Sequence, residues 1–180
     1  MTRLADAPEL EPARVHAGDA LAALEAANAA ARLAVDPELA ESLQRRVDEL
    51  LGAGAGTAAA PPATDRDRAC FDFADQFVVF VPGVTASQRA AVAVQLGPAR
   101  VLELAQVLYV FDLTTRLRLS LGQLFEPVAA RTSSPEPYQV TSLESSLGNL
   151  HAAAMRLQSL DPVTTELVRL HCARYHDCKT

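Results

Sequence analysis

The chain has 180 residues and a formal net charge of −6, with 49% hydrophobic residues, only 5% aromatics and no tryptophan. That length serves one domain or two small ones, and an alanine-rich content poor in strand-favouring residues reads as helical. The acidic balance argues against nucleic acid, no apolar run approaches the ~18 residues that span a bilayer, and the N-terminus lacks a signal peptide's apolar core, so a cytoplasmic protein without a membrane partner is expected.

Residues 11–34, EPARVHAGDALAALEAANAAARLA, are rich in helix formers, with Val15, Leu21, Leu24 and the alanines available to face a partner. In Val35-Asp36-Pro37-Glu38 the aspartate can cap, the proline fits the first helical position and the glutamate complements the dipole, so a second helix runs to about Leu51. GAGAGTAAAPPATDRD, residues 52–67, reads as a loop or linker.

In RACFDFADQFVVFVPGV the segment FVVFV suits a strand, but Phe73, Phe77 and Phe80 recur at helical spacing and favour a helix to about Val79. Thr85-Ala86-Ser87-Gln88 has capping-box spacing and opens a short helix. Gly97-Pro98 ends it and starts a long helix over 98–121, where Val101, Leu104, Leu108, Phe111 and Leu119 mark a central core element and Gly122 the stop. Residues 125–142 read as an extended crossover, followed by helices over 143–158 and, after Leu160-Asp161-Pro162, from 162 to about 175. The fold class is all-α, with about six or seven helices.

A shift of 125 residues superimposes Asp36-Pro37 on Asp161-Pro162, Glu41 on Glu166, Leu43 on Val168 and Ala53 on Cys178. An alanine-rich helix precedes both copies, so helix, Asp-Pro, helix recurs as a unit. The run LDPVTTELVRL followed by Cys178 resembles the AhpD-like and carboxymuconolactone decarboxylase superfamily. So does the middle of the chain, where CFDFADQF precedes a short helix and then ARVLELAQVLYVFDLTTRLRLSLG, with Asp112 and Arg116 similar to the family's Asn/Asp-x-x-x-Arg.

The resemblance implies an AhpD-like helical bundle in which residues 1–125 form one unit, 126–141 a linker, and 142–180 the first helices of a second, incomplete unit. Ala53 and Gly56 would occupy the Cys-x-x-Cys position of the first unit. In the intact family a cysteine pair cycles between dithiol and disulfide against peroxide or a partner disulfide, with a glutamate upstream and a histidine downstream moving protons. The catalytic candidates that carry over are Glu166 and Cys178; the second cysteine and the histidine do not. Thiol-dependent peroxidase or disulfide oxidoreductase activity is thus expected of an intact parent and not of this chain. Carboxymuconolactone decarboxylases proper lack the redox dithiol. The family also implies a homo-oligomer built through helical interfaces and no cofactor. The rival reading is a non-enzymatic helical oligomerisation module.

Twelve residues of unbroken helix would separate Glu166 from Cys178 by about 18 Å, so proton relay requires a turn between them, with Asp177 placed to cap a new helix at Cys178. A catalytic history predicts the two side chains facing each other in a pocket, whereas a packing role predicts both facing solvent. Plainer roles compete: Cys178 as an exposed terminal thiol, and Glu166 as a helix N-terminal acid. Cys70 reads as a small core residue, and His16 and His151 as surface or packing residues. Cys172 and His176 with His171 or Cys178 match no established zinc spacing, and no metal is expected. Cys172 and Cys178 would lie about 9 Å apart along a continuous helix, beyond disulfide reach unless the helix ends early. Arg66, Arg68, Arg116 and Arg118 are interleaved with acids and suit salt bridges, and GAGAGT lacks the ending of a phosphate loop. The apolar face of 162–175 is expected to be uncovered and to favour self-association.

Overall fold

The computed structural model describes residues 8–53, 61–124, 141–157 and 161–175. Among them are seven α-helices and no strand: α1 (Glu11–Ala34), α2 (Pro37–Leu50), α3 (Asp65–Phe80), α4 (Ala86–Leu96), α5 (Arg100–Leu124), α6 (Leu143–Met155) and α7 (Pro162–Tyr175). FVVFV is therefore helical up to Phe80, where a 3₁₀ turn, Val81–Gly83, takes over.

α1 has the expected span but is not straight. Ala17, at φ −140° and ψ 33°, breaks it, and Arg14 Nη2 donates to Glu25 Oε1 at 3.1 Å. Eleven residues of straight helix would hold these two about 16 Å apart, so the first turns fold back over the rest. Beyond the break, Leu21, Leu24, Ala27, Ala30 and Ala31 are buried; their small side chains suit close helix approach.

α2 begins as the sequence predicts. Asp36 Oδ1 accepts from the Glu38 and Leu39 amides at 3.1 and 3.2 Å, satisfying two donors that the first turn leaves without helical partners. Leu39, Ala40, Leu43 and Val47 form its buried face.

α3 starts inside the segment expected to be linker. The hydroxyl of Thr64 accepts from the Asp67 amide at 3.1 Å while the Asp67 carboxylate accepts from the Thr64 amide at 3.2 Å, a capping box that outweighs the polar composition around it. The Thr64 hydroxyl holds the Asp67 carboxyl below its usual range. Phe73 is buried and Phe77 stacks on it with ring centroids 6.0 Å apart. Phe80 departs from the expected stripe and is exposed.

The Thr85–Gln88 capping box is present at α4, and Gln88 Nε2 also donates to the Asp72 carbonyl at 2.9 Å, tying α4 to α3. Gly97 ends α4 with φ 96°, a conformation that disfavours any residue with a Cβ.

α5 is the central element, packed against α1, α2, α3 and α4, with Leu104, Leu108 and Phe111 fully buried. Gly122 does not stop it; the helix continues to Leu124. A glycine that stays at negative φ costs a helix only about 1 kcal/mol and does not end it.

α6 ends at Met155, short of the expected 158. It packs along α1, and its Leu143 and Leu150 belong to the same hydrophobic cluster as α1, α2, α3 and α5. The two helices that precede an Asp-Pro pair thus lie against each other, and α6 shares the core of the preceding helices. At α7 the cap recurs: Asp161 Oδ1 accepts from the Val163 and Thr164 amides, both at 3.0 Å. The surroundings do not recur, because Val163, Leu167, Val168 and Leu170 are exposed. The uncovered apolar face expected of this helix is present.

The expected crossover lies outside the described residues except for Thr141 and Ser142. Among the described residues no single helix is long and apolar enough to cross a membrane; α4 and α5 together reach the length but are bent by 107°.

Candidate functional site

α2 ends in a reversal that builds one wall of a cleft. The Gly52 amide donates to the Glu49 carbonyl at 3.0 Å and the Ala53 amide to the Asp48 carbonyl at 2.7 Å, with Gly52 at φ 72°. This is the Schellman arrangement, in which the residue after a left-handed glycine folds back over the last turn. Ala53, the position matched to the first cysteine of the resembled motif, is thereby held beside Asp48 and faces α5.

The cleft measures about 410 Å³ and is lined by Asp48, Ala53, Thr115, Arg118, Leu119, Gly122 and Gln123. Its floor is a half-buried polar network. Thr115 Oγ1 donates to Asp48 Oδ1 at 2.7 Å. Gln44 Nε2 donates to that same carboxylate oxygen at 3.0 Å and to Thr115 Oγ1 at 3.1 Å. Arg32 Nη2 donates to Gln44 Oε1 at 3.1 Å, and its guanidinium lies 5.2 Å from the centre of the Phe111 ring. Burial lowers the pKa of Arg32, and the carboxylates of Asp48 and Glu41 oppose that shift. This chain of bonds ties together three helices, α1, α2 and α5, and each buried polar group left unpaired would cost about 1–3 kcal/mol.

The chemistry available in the cleft is hydrogen bonding and charge. Neither cysteine in the described residues lines it. Cys70 is fully buried in the core, as expected of a packing residue, and burial pushes its thiol up to about 11. Cys172 is exposed on α7. Glu166 is also exposed, while Cys178, Gly56, His176 and Asp177 lie outside the described residues, so the expected pairing of Glu166 with Cys178 falls outside them too.

The remaining candidates have structural partners or solvent. Arg116 Nε donates to both Asp112 carboxylate oxygens at 2.9 Å and its Nη2 to the Val78 carbonyl at 3.0 Å, so this pair fastens α5 to the end of α3. Arg66 pairs with Asp67 at 3.3 Å and Arg68 with Asp65 at 2.6 Å. His16 and His151 are exposed. Among the described residues, no three of His, Cys, Asp and Glu gather closely enough to hold a metal ion.

Sequence reasoning missed the floor of the cleft. Its signals were Gln44 and Asp48 one helical turn apart, and the polar pair Thr114-Thr115 inside an otherwise apolar helix.

Two curated proteins of Mycobacterium tuberculosis are similar to this chain: "Uncharacterized protein MT2376" of strain CDC 1551 / Oshkosh and "Uncharacterized protein Rv2313c" of strain ATCC 25618 / H37Rv, each 31% identical over 122 residues. The aligned region is 66% of this chain and 43% of each relative, so the chain spans less than half the length of the curated relatives it matches. No family model matches the chain, and no solved structure matches it.

Proposed function

We propose that the chain is an AhpD-like helical unit whose first copy of the motif has given up dithiol chemistry and serves as a packing and binding scaffold. Peroxidase or disulfide-reductase chemistry then has no cysteine pair in the first copy, where Ala53 and Gly56 stand at the Cys-x-x-Cys position. The observation that carries the reading is Ala53. The position matched to the reactive cysteine opens onto the α2–α5 cleft with a methyl group where a thiol would stand. The helix order supports it as well, with a short α4 before a long α5 that carries the Asp112–Arg116 pair.

Installing the pair tests the assignment. In Ala53→Cys/Gly56→Cys, peroxide converts one thiolate to a sulfenic acid with release of water, and the second thiol displaces a second water to form a disulfide that dithiothreitol reverses. The reading predicts this peroxide-driven disulfide; two thiols that oxidise independently would contradict it.

A second reading rests on α7. Val163 at 68% and Leu167 at 61% exposure leave an apolar face open to solvent, which favours association with a second copy of the chain. Sedimentation of the chain should then show a dimer or higher species that Leu167→Asp/Val168→Asp converts to monomer. A monomer at all concentrations would remove this reading.

A further inference from the structure

The first turns of α1 are bent by contacts made at a distance. The 3₁₀ turn that precedes them, Pro8–Leu10, packs against α5, and Leu10 is fully buried in the hydrophobic cluster shared by α1, α2, α3 and α5. Arg14 Nη2 reaches Glu25 Oε1 at 3.1 Å, and the Glu25 side chain is only 4% exposed. Arg14 Nε also pairs with Glu11 at 3.3 Å, within the same arm. The helix breaks at Ala17, although alanine has the highest helix propensity of any residue, and a Cβ on the adjacent Gly18 would meet nothing within 4 Å. Neither residue prescribes the bend, so the seats of Leu10 and Arg14 impose it.

Released from those seats, residues 8–16 straighten onto α1, whose 24 residues then span about 36 Å. Arg14 would stand about 16 Å from its own Glu25. The surface it leaves holds a buried carboxylate without this cation and an apolar seat without its leucine, a costly state. The arm of a second copy fits that surface, because it brings the same leucine and the same guanidinium at the same spacing. We propose that residues 8–16 are an exchangeable arm hinged at Ala17, docking on the α1–α5 surface of a second copy while that copy's arm docks in return. The arrangement is closed and two-fold. It remakes the Leu10 and Arg14–Glu25 contacts and adds the helical hydrogen bonds that the break at Ala17 interrupts. A tethered arm competes at a roughly millimolar effective concentration, so the dilute chain keeps its own arm and exchange follows refolding from concentrated solution. The inference requires neither the family assignment nor association through α7.

Reversing the two charges in separate chains tests it. Every sample is the 180-residue chain carrying Leu167→Asp/Val168→Asp, so that α7 cannot supply the association. Arg14→Glu opposes Glu25, and Glu25→Lys opposes Arg14, so neither variant can close its own arm or exchange it with an identical copy. In a 1:1 mixture both ion pairs re-form, but only between unlike copies. Sedimentation should show each variant alone as a monomer and the mixture as a dimer. Ala17→Gly covers the case in which Glu25→Lys fails to fold. Refolded at millimolar concentration, the chain with Ala17 should yield a dimer. Ala17→Gly should weaken that dimer about 30-fold, because each of its two straightened hinges loses roughly fivefold in helix propensity. The proposal is overturned if the mixture of folded variants stays monomeric or if either variant alone dimerises as strongly as the mixture. It is equally overturned if refolding gives no dimer, or one that Ala17→Gly leaves as tight.

Discussion

Thr115 on α5 donates to Asp48 on α2 at 2.7 Å, joining two helices through a carboxylate at the floor of the cleft. Thr115 is only 3% exposed, so nothing in solvent replaces the bond. Thr115→Val keeps the shape, removes the donor, and leaves Gln44 without one of its two acceptors. Urea denaturation should show a loss of about 1–3 kcal/mol. In a double-mutant cycle with Asp48→Ala the two losses should not add, because the second change removes the partner stranded by the first.

Cys70 supplies a pH signature. Its thiol, ordinarily near 9.0, is raised to about 11 by burial. The folded chain therefore holds the proton more tightly than the unfolded chain, so this contribution is intact below pH 9 and is lost as pH rises from about 9 to about 11. Melting temperatures across that window should fall more steeply for the parent than for Cys70→Ala, which loses packing at every pH but has no thiol to ionise. In the native state a thiol reagent should label Cys172 well before Cys70.

The caps and periodicities of this chain were legible because they are local. Asp36-Pro37, Thr85–Gln88 and Gly97 each set their own turn, and the apolar spacing of Leu104, Leu108 and Phe111 marked the core helix without reference to anything distant. The kink at Ala17 was not legible, because it answers a tertiary pairing of Arg14 with a buried Glu25. Nor was the start of α3, where the Thr64–Asp67 box sat in a stretch whose glycines and prolines dominated the reading. The cleft combines both cases. Ala53 was singled out from the repeat, but Thr115 reaches Asp48 across 67 residues of sequence, a relation that no periodicity carries.

Gly52 holds the reversal at the end of α2 with φ 72°. An added Cβ there meets nothing within 4 Å, so Gly52→Ala should cost about 1–2 kcal/mol through backbone conformation alone. Because Ala53 follows it, the same change should also weaken whatever occupies the cleft, whereas Gly148→Ala on α6, also without a near neighbour, should stabilise by about 1 kcal/mol through helix propensity.

The two Asp-Pro caps separate α2 from α7. Each aspartate accepts from two backbone amides, and the hydrogen bond from Thr164 holds the Asp161 carboxyl below its usual range. Asp36→Ala should lower global stability by about 0.5–2 kcal/mol, since α2 buries Leu39, Leu43 and Val47. Asp161→Ala should reduce helical content without moving the global melting temperature, since α7 keeps its apolar residues in solvent.

Peroxide consumption by the 180-residue chain tests the proposed absence of dithiol turnover most directly. With dithiothreitol as reductant, the account predicts consumption at the rate of free thiols, unchanged in Cys178→Ser. Turnover well above that rate, lost in Cys178→Ser while the fold is retained, would contradict it.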